Sequence, residues 1–116
     1  MEKSIRQKKV ASLIKGELSR LFIELIPDSA FHLTSITRVE MSKDLKTAFV
    51  YLSIFGEGTD QKILDILNTR KGFLRKSIAS RTKLKYNPML IFSLDQGLEH
   101  RRRIDALIDR INKDDE

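Results

Sequence analysis

Hydrophobic positions recur every three or four residues over the first part of the chain, at Val10, Ile14, Leu18, Leu21, Phe22 and Leu25. That period predicts an amphipathic helix from about residue 5 to Ile26, stopped by Pro27. Lys8 and Lys15 fall on one flank of the apolar stripe, and Lys9 and Arg20 on the other. From Leu33 the period drops to two. LTSITRVEM is rich in β-branched residues, and after SKDLK the run TAFVYLSIF alternates Ala48, Val50, Leu52 and Ile54 with Phe49, Tyr51 and Phe55. Two strands joined by so short a polar turn are expected to pair antiparallel. Gly56-Glu57-Gly58 ends the second strand, and Thr59 or Asp60 is placed to cap the next helix.

That helix carries Ile63, Leu64, Ile66 and Leu67, and a further apolar set follows at Phe73, Leu74 and Ile78. In one straight helix, at about 100° per residue, Arg70 would point into the middle of the apolar arc. Burying an unpaired arginine is costly. A break near Gly72 removes the conflict, because glycine tolerates the backbone angles of a kink and weakens helix locally. Asn87-Pro88 closes this segment, and MLIFSL predicts a third, well-buried strand. Ile104, Leu107, Ile108 and Ile111 predict a C-terminal helix at about 97–112, with Arg101, Arg102 and Arg103 near its start and a frayed acidic end at Asp114, Asp115 and Glu116. The order is helix, strand, strand, kinked helix pair, strand and C-terminal helix. It implies an α+β fold with a three-stranded sheet covered by helices on one face, the other face being left open.

Composition narrows the class. A chain of 116 residues, 41% hydrophobic and 33% charged, suits a single domain over 1–116 with one core. The absence of cysteine removes disulfide and thiolate chemistry. The charged N-terminal stretch is neither a secretory signal nor a membrane span, so a soluble, cytoplasmic protein is expected. Net charge is +6 and its distribution is uneven: from Ile66 to Leu94 there are seven basic residues and no acid. Concentrated positive charge points to a polyanionic partner.

Three stretches resemble the bacterial ribosome-binding factor A family: the strand-turn-strand VEMSKDLKTAFVYLS, the GFLR after the glycine, and LKYNPMLIFSLDQGLEHRRRID. The resemblance runs from about Ser4 to Leu107. It implies a type II KH-like domain and a non-catalytic assembly factor that binds 16S rRNA in the immature small (30S) ribosomal subunit. Such a factor acts late in maturation of that rRNA and matters most in the cold. The family writes the kink as Ala-x-Gly in place of the KH GXXG loop. That motif falls here on Arg70-Lys71-Gly72, with Arg70 where the family has alanine.

A KH-like fold clamps an RNA backbone at the helix junction. Arg70, Lys71, Gly72, Arg75 and Lys76 flank the kink, and Arg81, Lys83 and Lys85 extend the charge; these are the expected RNA-binding residues. Lys8, Lys9, Lys15, Arg101, Arg102 and Arg103 form a second tier, the arginine triplet standing beside Glu99 and Asp105 as pairing partners. Phe49, Tyr51 and Phe55 are expected to pack under the terminal helix rather than to stack on bases. His32 and His100 fit no metal or triad spacing, so neither catalysis, nor a cofactor, nor a small-molecule substrate is expected, and monomer is the default. Two alternatives keep the same charge: a general nucleic-acid-binding protein, and a docking module for a ribosomal protein or GTPase.

Overall fold

The first helix opens on a capping box. In the computed structural model, which describes residues 4–25, 34–55 and 60–95, the Gln7 amide donates to Ser4 Oγ at 3.1 Å and the Ser4 amide to Gln7 Oε1 at 2.9 Å. Two amides that a helix start would leave unpaired are thereby satisfied. Helix α1 runs Ile5–Leu25 and buries Ile14, Leu18, Leu21 and Phe22, the stripe expected of it. Gln7 also ties the helix to the sheet, since its Nε2 donates to the carbonyl of Met41 at 3.0 Å.

Strands β1 (Thr34–Met41) and β2 (Thr47–Ile54) pair antiparallel, with Met41 opposite Ala48 and Val39 opposite Val50. The register slips between Ile36 and Arg38. Ile36 and Val39 pair with Leu52 and Val50 on one face although they are three residues apart. Strict alternation forbids that unless one residue is extra, and Thr37 is that residue. Its hydroxyl donates to Asp95 Oδ2 at 2.7 Å and also lies 3.2 Å from the Tyr51 carbonyl.

Helix α2 (Asp60–Thr69) and helix α3 (Lys71–Arg81) carry the chain from β2 to β3 (Met89–Leu94), which lies parallel to β2. The sheet order is β1-β2-β3. A parallel neighbour requires such a crossover. Helices α1, α2 and α3 bury their stripes against one face, where Val50, Leu52, Ile63, Leu67, Leu74, Ile78 and Leu90 are all 1% exposed or less. Each of these side chains contributes roughly 1.5–3 kcal/mol by leaving water.

Two expectations change. Strand β3 is not buried throughout: Leu90 and Phe92 face the core, while Met89 and Ile91 are 53% and 44% exposed. Among the described residues it pairs only with β2, and helices pack on one face of it. The break between α2 and α3 falls at Arg70, two residues before the glycine. Arg70 sits at φ −99°, ψ 12°, its amide donates to Ile66 O at 3.1 Å, and its carbonyl accepts from Leu74 at 3.0 Å. The bend therefore keeps helical hydrogen bonds on both sides and needs no left-handed backbone. Gly72 lies inside α3, and a Cβ there would meet nothing within 4 Å. The expected helix at 97–112, with Arg101, Arg102 and Arg103, lies outside the described residues, as do His32 and His100.

Candidate nucleic-acid interface

The bend turns Arg70 out of the apolar arc. On a straight continuation of the Ile63–Leu67 stripe it would point at the core, whereas here it is exposed and its guanidinium carbon lies 5.2 Å from the centre of the Phe73 ring. Phe73, expected to be apolar filling, is itself 41% exposed. Lys71 is half-buried, with Nζ 6.0 Å from the Phe92 ring, and Gly72 and Lys76 are exposed. No side chain caps α3. Its first amides, at Lys71, Gly72 and Phe73, are the donors that a helix start leaves over, at the positive end of the helix dipole. Exposed cations and a helix start without a side-chain cap in one place suit a phosphate.

Arg75 differs from its neighbours. It is half-buried, and its guanidinium donates to the carbonyl of Pro88 at 3.0 Å through Nε and to that of Asn87 at 3.1 Å through Nη2. It fastens the segment that leads into β3. Arg81 is exposed in the last turn of α3, and Lys83 and Lys85 are exposed on the loop beyond it. Eleven residues of α3 span about 16 Å. The block from Arg70 to Lys85 is thus spread along one helix, with Arg70 and Lys71 at its start, Arg75 and Lys76 midway, and Arg81, Lys83 and Lys85 at its end and beyond.

On α1, Lys8, Lys9 and Lys15 are exposed. Lys8 and Lys15 flank a shallow cleft with Arg38 of β1. Sequence reasoning missed Arg38. Its guanidinium lies 4.0 Å over the Tyr51 ring and pairs with Glu40 at 2.8 Å and Asp95 at 3.7 Å. The signal was the register itself, which sets Arg38 opposite Tyr51 on the open face. Tyr51 is thereby covered by an arginine, Phe49 is half-buried, and Phe55 is exposed.

Sequence reasoning also passed over Arg6, Lys43 and Lys46, which the fold brings to the Lys85 end of α3. Asp44 lies among them. The hydrogen bond from Ser42, then that from the Lys46 amide, hold its carboxyl below the usual aspartate value. Among the described residues no group of three His, Cys, Asp or Glu could hold a metal ion, and no helix is long and apolar enough to cross a membrane.

An antiparallel hairpin, a helix pair bent at a basic junction and a returning parallel strand define an α+β, KH-like domain. A model of the family described as ribosome-binding factor A matches residues 6–108. The chain belongs to that family. It is 32% identical over 112 residues to ribosome-binding factor A of Halothermothrix orenii, with 96% of this chain and 92% of that one covered. The fold is similar to the solution structure of a Thermotoga maritima protein assigned to ribosome binding factor A, at a TM-score of 0.68 and 32% identity over 80% of this chain and 90% of that one. It is also similar, at a TM-score of 0.56 and 20% identity, to a homology model of Thermus thermophilus ribosome binding factor A as fitted into an electron-microscopy map of a 30S complex; the match covers 79% of this chain and 93% of that one.

Proposed function

We propose that this protein binds the immature small ribosomal subunit through 16S rRNA, at the junction of α2 and α3, and promotes late maturation of that RNA as a non-catalytic, cytoplasmic assembly factor needed most in the cold. The observation that carries the reading is the exposure of Arg70 at the bend. A cation expelled from a core stripe stands beside the uncapped start of α3, next to Lys71 and Gly72, in a stretch of chain without an acid from Ile66 to Leu94. Phosphates bound there release condensed counterions, so affinity falls steeply with salt and depends little on sequence. Family membership, and the 30S complex named for the Thermus relative, support the choice of the small subunit as the polyanion.

Arg75 is left out of the contact set because its Nε and Nη2 hold the carbonyls of Pro88 and Asn87, which fixes the guanidinium against the segment leading into β3. The test is the triple variant Arg70→Glu, Lys71→Glu, Lys76→Glu, all at residues exposed or half-buried, so the fold is kept. It is expected to lose co-sedimentation with small subunits while its circular dichroism spectrum stays that of the parent. Unchanged co-sedimentation would sink the assignment to the bend, and a complex that survives nuclease treatment would favour docking on a protein.

A further inference from the structure

The end of α3 remote from the bend carries a second assembly of charge. Lys83 and Lys85, on the loop after α3, lie beside Arg6 from the first turn of α1, around a cleft floored by Val10, Leu45 and Leu84. Lys43, from the β1–β2 turn, lines its continuation with Lys85. Tyr86 faces both parts and is 40% exposed. Two ammonium groups attend its ring, that of Lys46 at 5.2 Å and that of Lys85 at 5.4 Å.

Three features set this cluster apart from ordinary wet lysines. The cations come from three segments distant in the sequence, so folding brings like charges together against their repulsion. Asp44 is the one carboxylate lining the cleft among the described residues, and its Oδ1 is engaged by the Ser42 hydroxyl at 2.7 Å and the Lys46 amide at 3.0 Å. It holds the turn, and of these cations it is Lys46 whose charge also favours its ionised form. Leu45, whose side chain packs on the core, is held at φ 63°, a left-handed conformation that costs a leucine roughly 1–3 kcal/mol. That strained residue fixes the turn presenting Lys43 and Lys46.

We propose that this cleft is a second RNA subsite, which takes a single-stranded nucleotide with its base stacked on Tyr86 and its flanking phosphates against Arg6, Lys43 and Lys85. An exposed aromatic ring among cations is the arrangement that binds unpaired bases, whose faces a duplex keeps in its own stack. The subsite rests on the reading that the partner is RNA. It adds a polarity to that reading: backbone is held at the bend, and an unpaired base on the loop beyond the other end of α3, a helix about 16 Å long.

The test measures binding of the full chain to a labelled single-stranded oligouridylate and to an RNA duplex of equal length, at several salt concentrations. Tyr86→Ala is expected to weaken binding of the single strand about tenfold, within the range for loss of one base–aromatic stack, and to leave the duplex within twofold. Tyr86→Phe is expected to restore the single strand, because the ring and not the hydroxyl carries the stack. The double variant Lys43→Ala, Lys85→Ala is expected to reduce the slope of log affinity against log salt by about 1.4, at roughly 0.7 per phosphate. Single-strand affinity unchanged by Tyr86→Ala, or not restored by Tyr86→Phe, overturns the subsite while leaving the bend intact. A parent chain that binds small subunits but neither RNA overturns the RNA reading, and the subsite with it.

Discussion

The two ends of α3 bear similar charge and are built in different ways. At the bend, the cations Arg70 and Lys71 are adjacent in the chain, with Lys76 five residues on along the same helix, set out by an interruption that keeps the helical hydrogen bonds of Ile66, Arg70 and Leu74. At the far end, residues from α1, the β1–β2 turn and the α3–β3 loop are gathered by tertiary structure. That end is fastened at several points. Thr82 Oγ1 donates to Ile78 O at 2.6 Å, Arg75 grips the carbonyls of Asn87 and Pro88, and the Met89 amide donates to Lys46 O at 2.8 Å. The first surface is a local property of sequence, and the second exists only once the domain has folded. Damage to packing should therefore fall on the far end first.

The largest effect expected from that difference is at Arg75. Replacing it by alanine leaves the Asn87 and Pro88 carbonyls without their charged donor, which should cost about 1–2 kcal/mol, given that the site is only partly buried. Chemical denaturation should show the loss, and hydrogen exchange should quicken over residues 82–89. Arg75→Lys should not restore it, since one ammonium cannot reproduce the two-nitrogen grip. RNA affinity at the bend should hold. If affinity falls while stability does not, Arg75 belongs with the contact residues and the contrast between the two ends is wrong.

Gly72 sharpens the comparison from the other end. The bend does not use its conformational freedom, and a methyl group there meets no neighbour. Gly72→Ala should stabilise the fold by about 0.5–1 kcal/mol through helix propensity, seen as a raised denaturation midpoint. Lost RNA affinity in that more stable variant would show that the glycine admits the close approach of a phosphate backbone. Unchanged affinity would leave Arg70 as the residue that makes the junction.

These contrasts follow what was legible in the sequence. Periodicity found α1, both hairpin strands and the helix pair, because each buries a repeating stripe. Arg70 announced the bend as a charge in an apolar arc, although the position was placed at the glycine, whose freedom proved unnecessary. The run MLIFSL predicts a well-buried strand because an apolar stretch does not reveal that, among the described residues, the strand is an edge with one uncovered face. Ser4 and Gln7 spell a capping box that could have been found. The role of Arg75 could not, since its acceptors are main-chain carbonyls 12 and 13 residues away, and carbonyls leave no mark on sequence. Nor could the meeting of Arg6, Lys43 and Lys85, which depends on tertiary packing.

The smallest expected effect separates the two ends by pH. Asp44 accepts hydrogen bonds from Ser42 and the Lys46 amide, and these hold its carboxyl below the ordinary aspartate value of 3.8. A carboxylate depressed on folding adds stability that is complete above its unfolded value and is lost as the pH falls through the folded one. The loss should therefore begin below about pH 4 and involve the β1–β2 turn. From Ile66 to Leu94 there is no acid, and Asp65, which shares a cleft with Arg70, accepts its hydrogen bond from Gln61 one turn earlier on α2 rather than holding a turn as Asp44 does. A pH series of amide spectra should move Leu45, Lys46 and Thr47 while Arg70 to Leu74 stay in place. Simultaneous movement of both groups would mean that the turn and the bend share one cooperative unit, and the far end would then be no more dependent on tertiary structure than the near one.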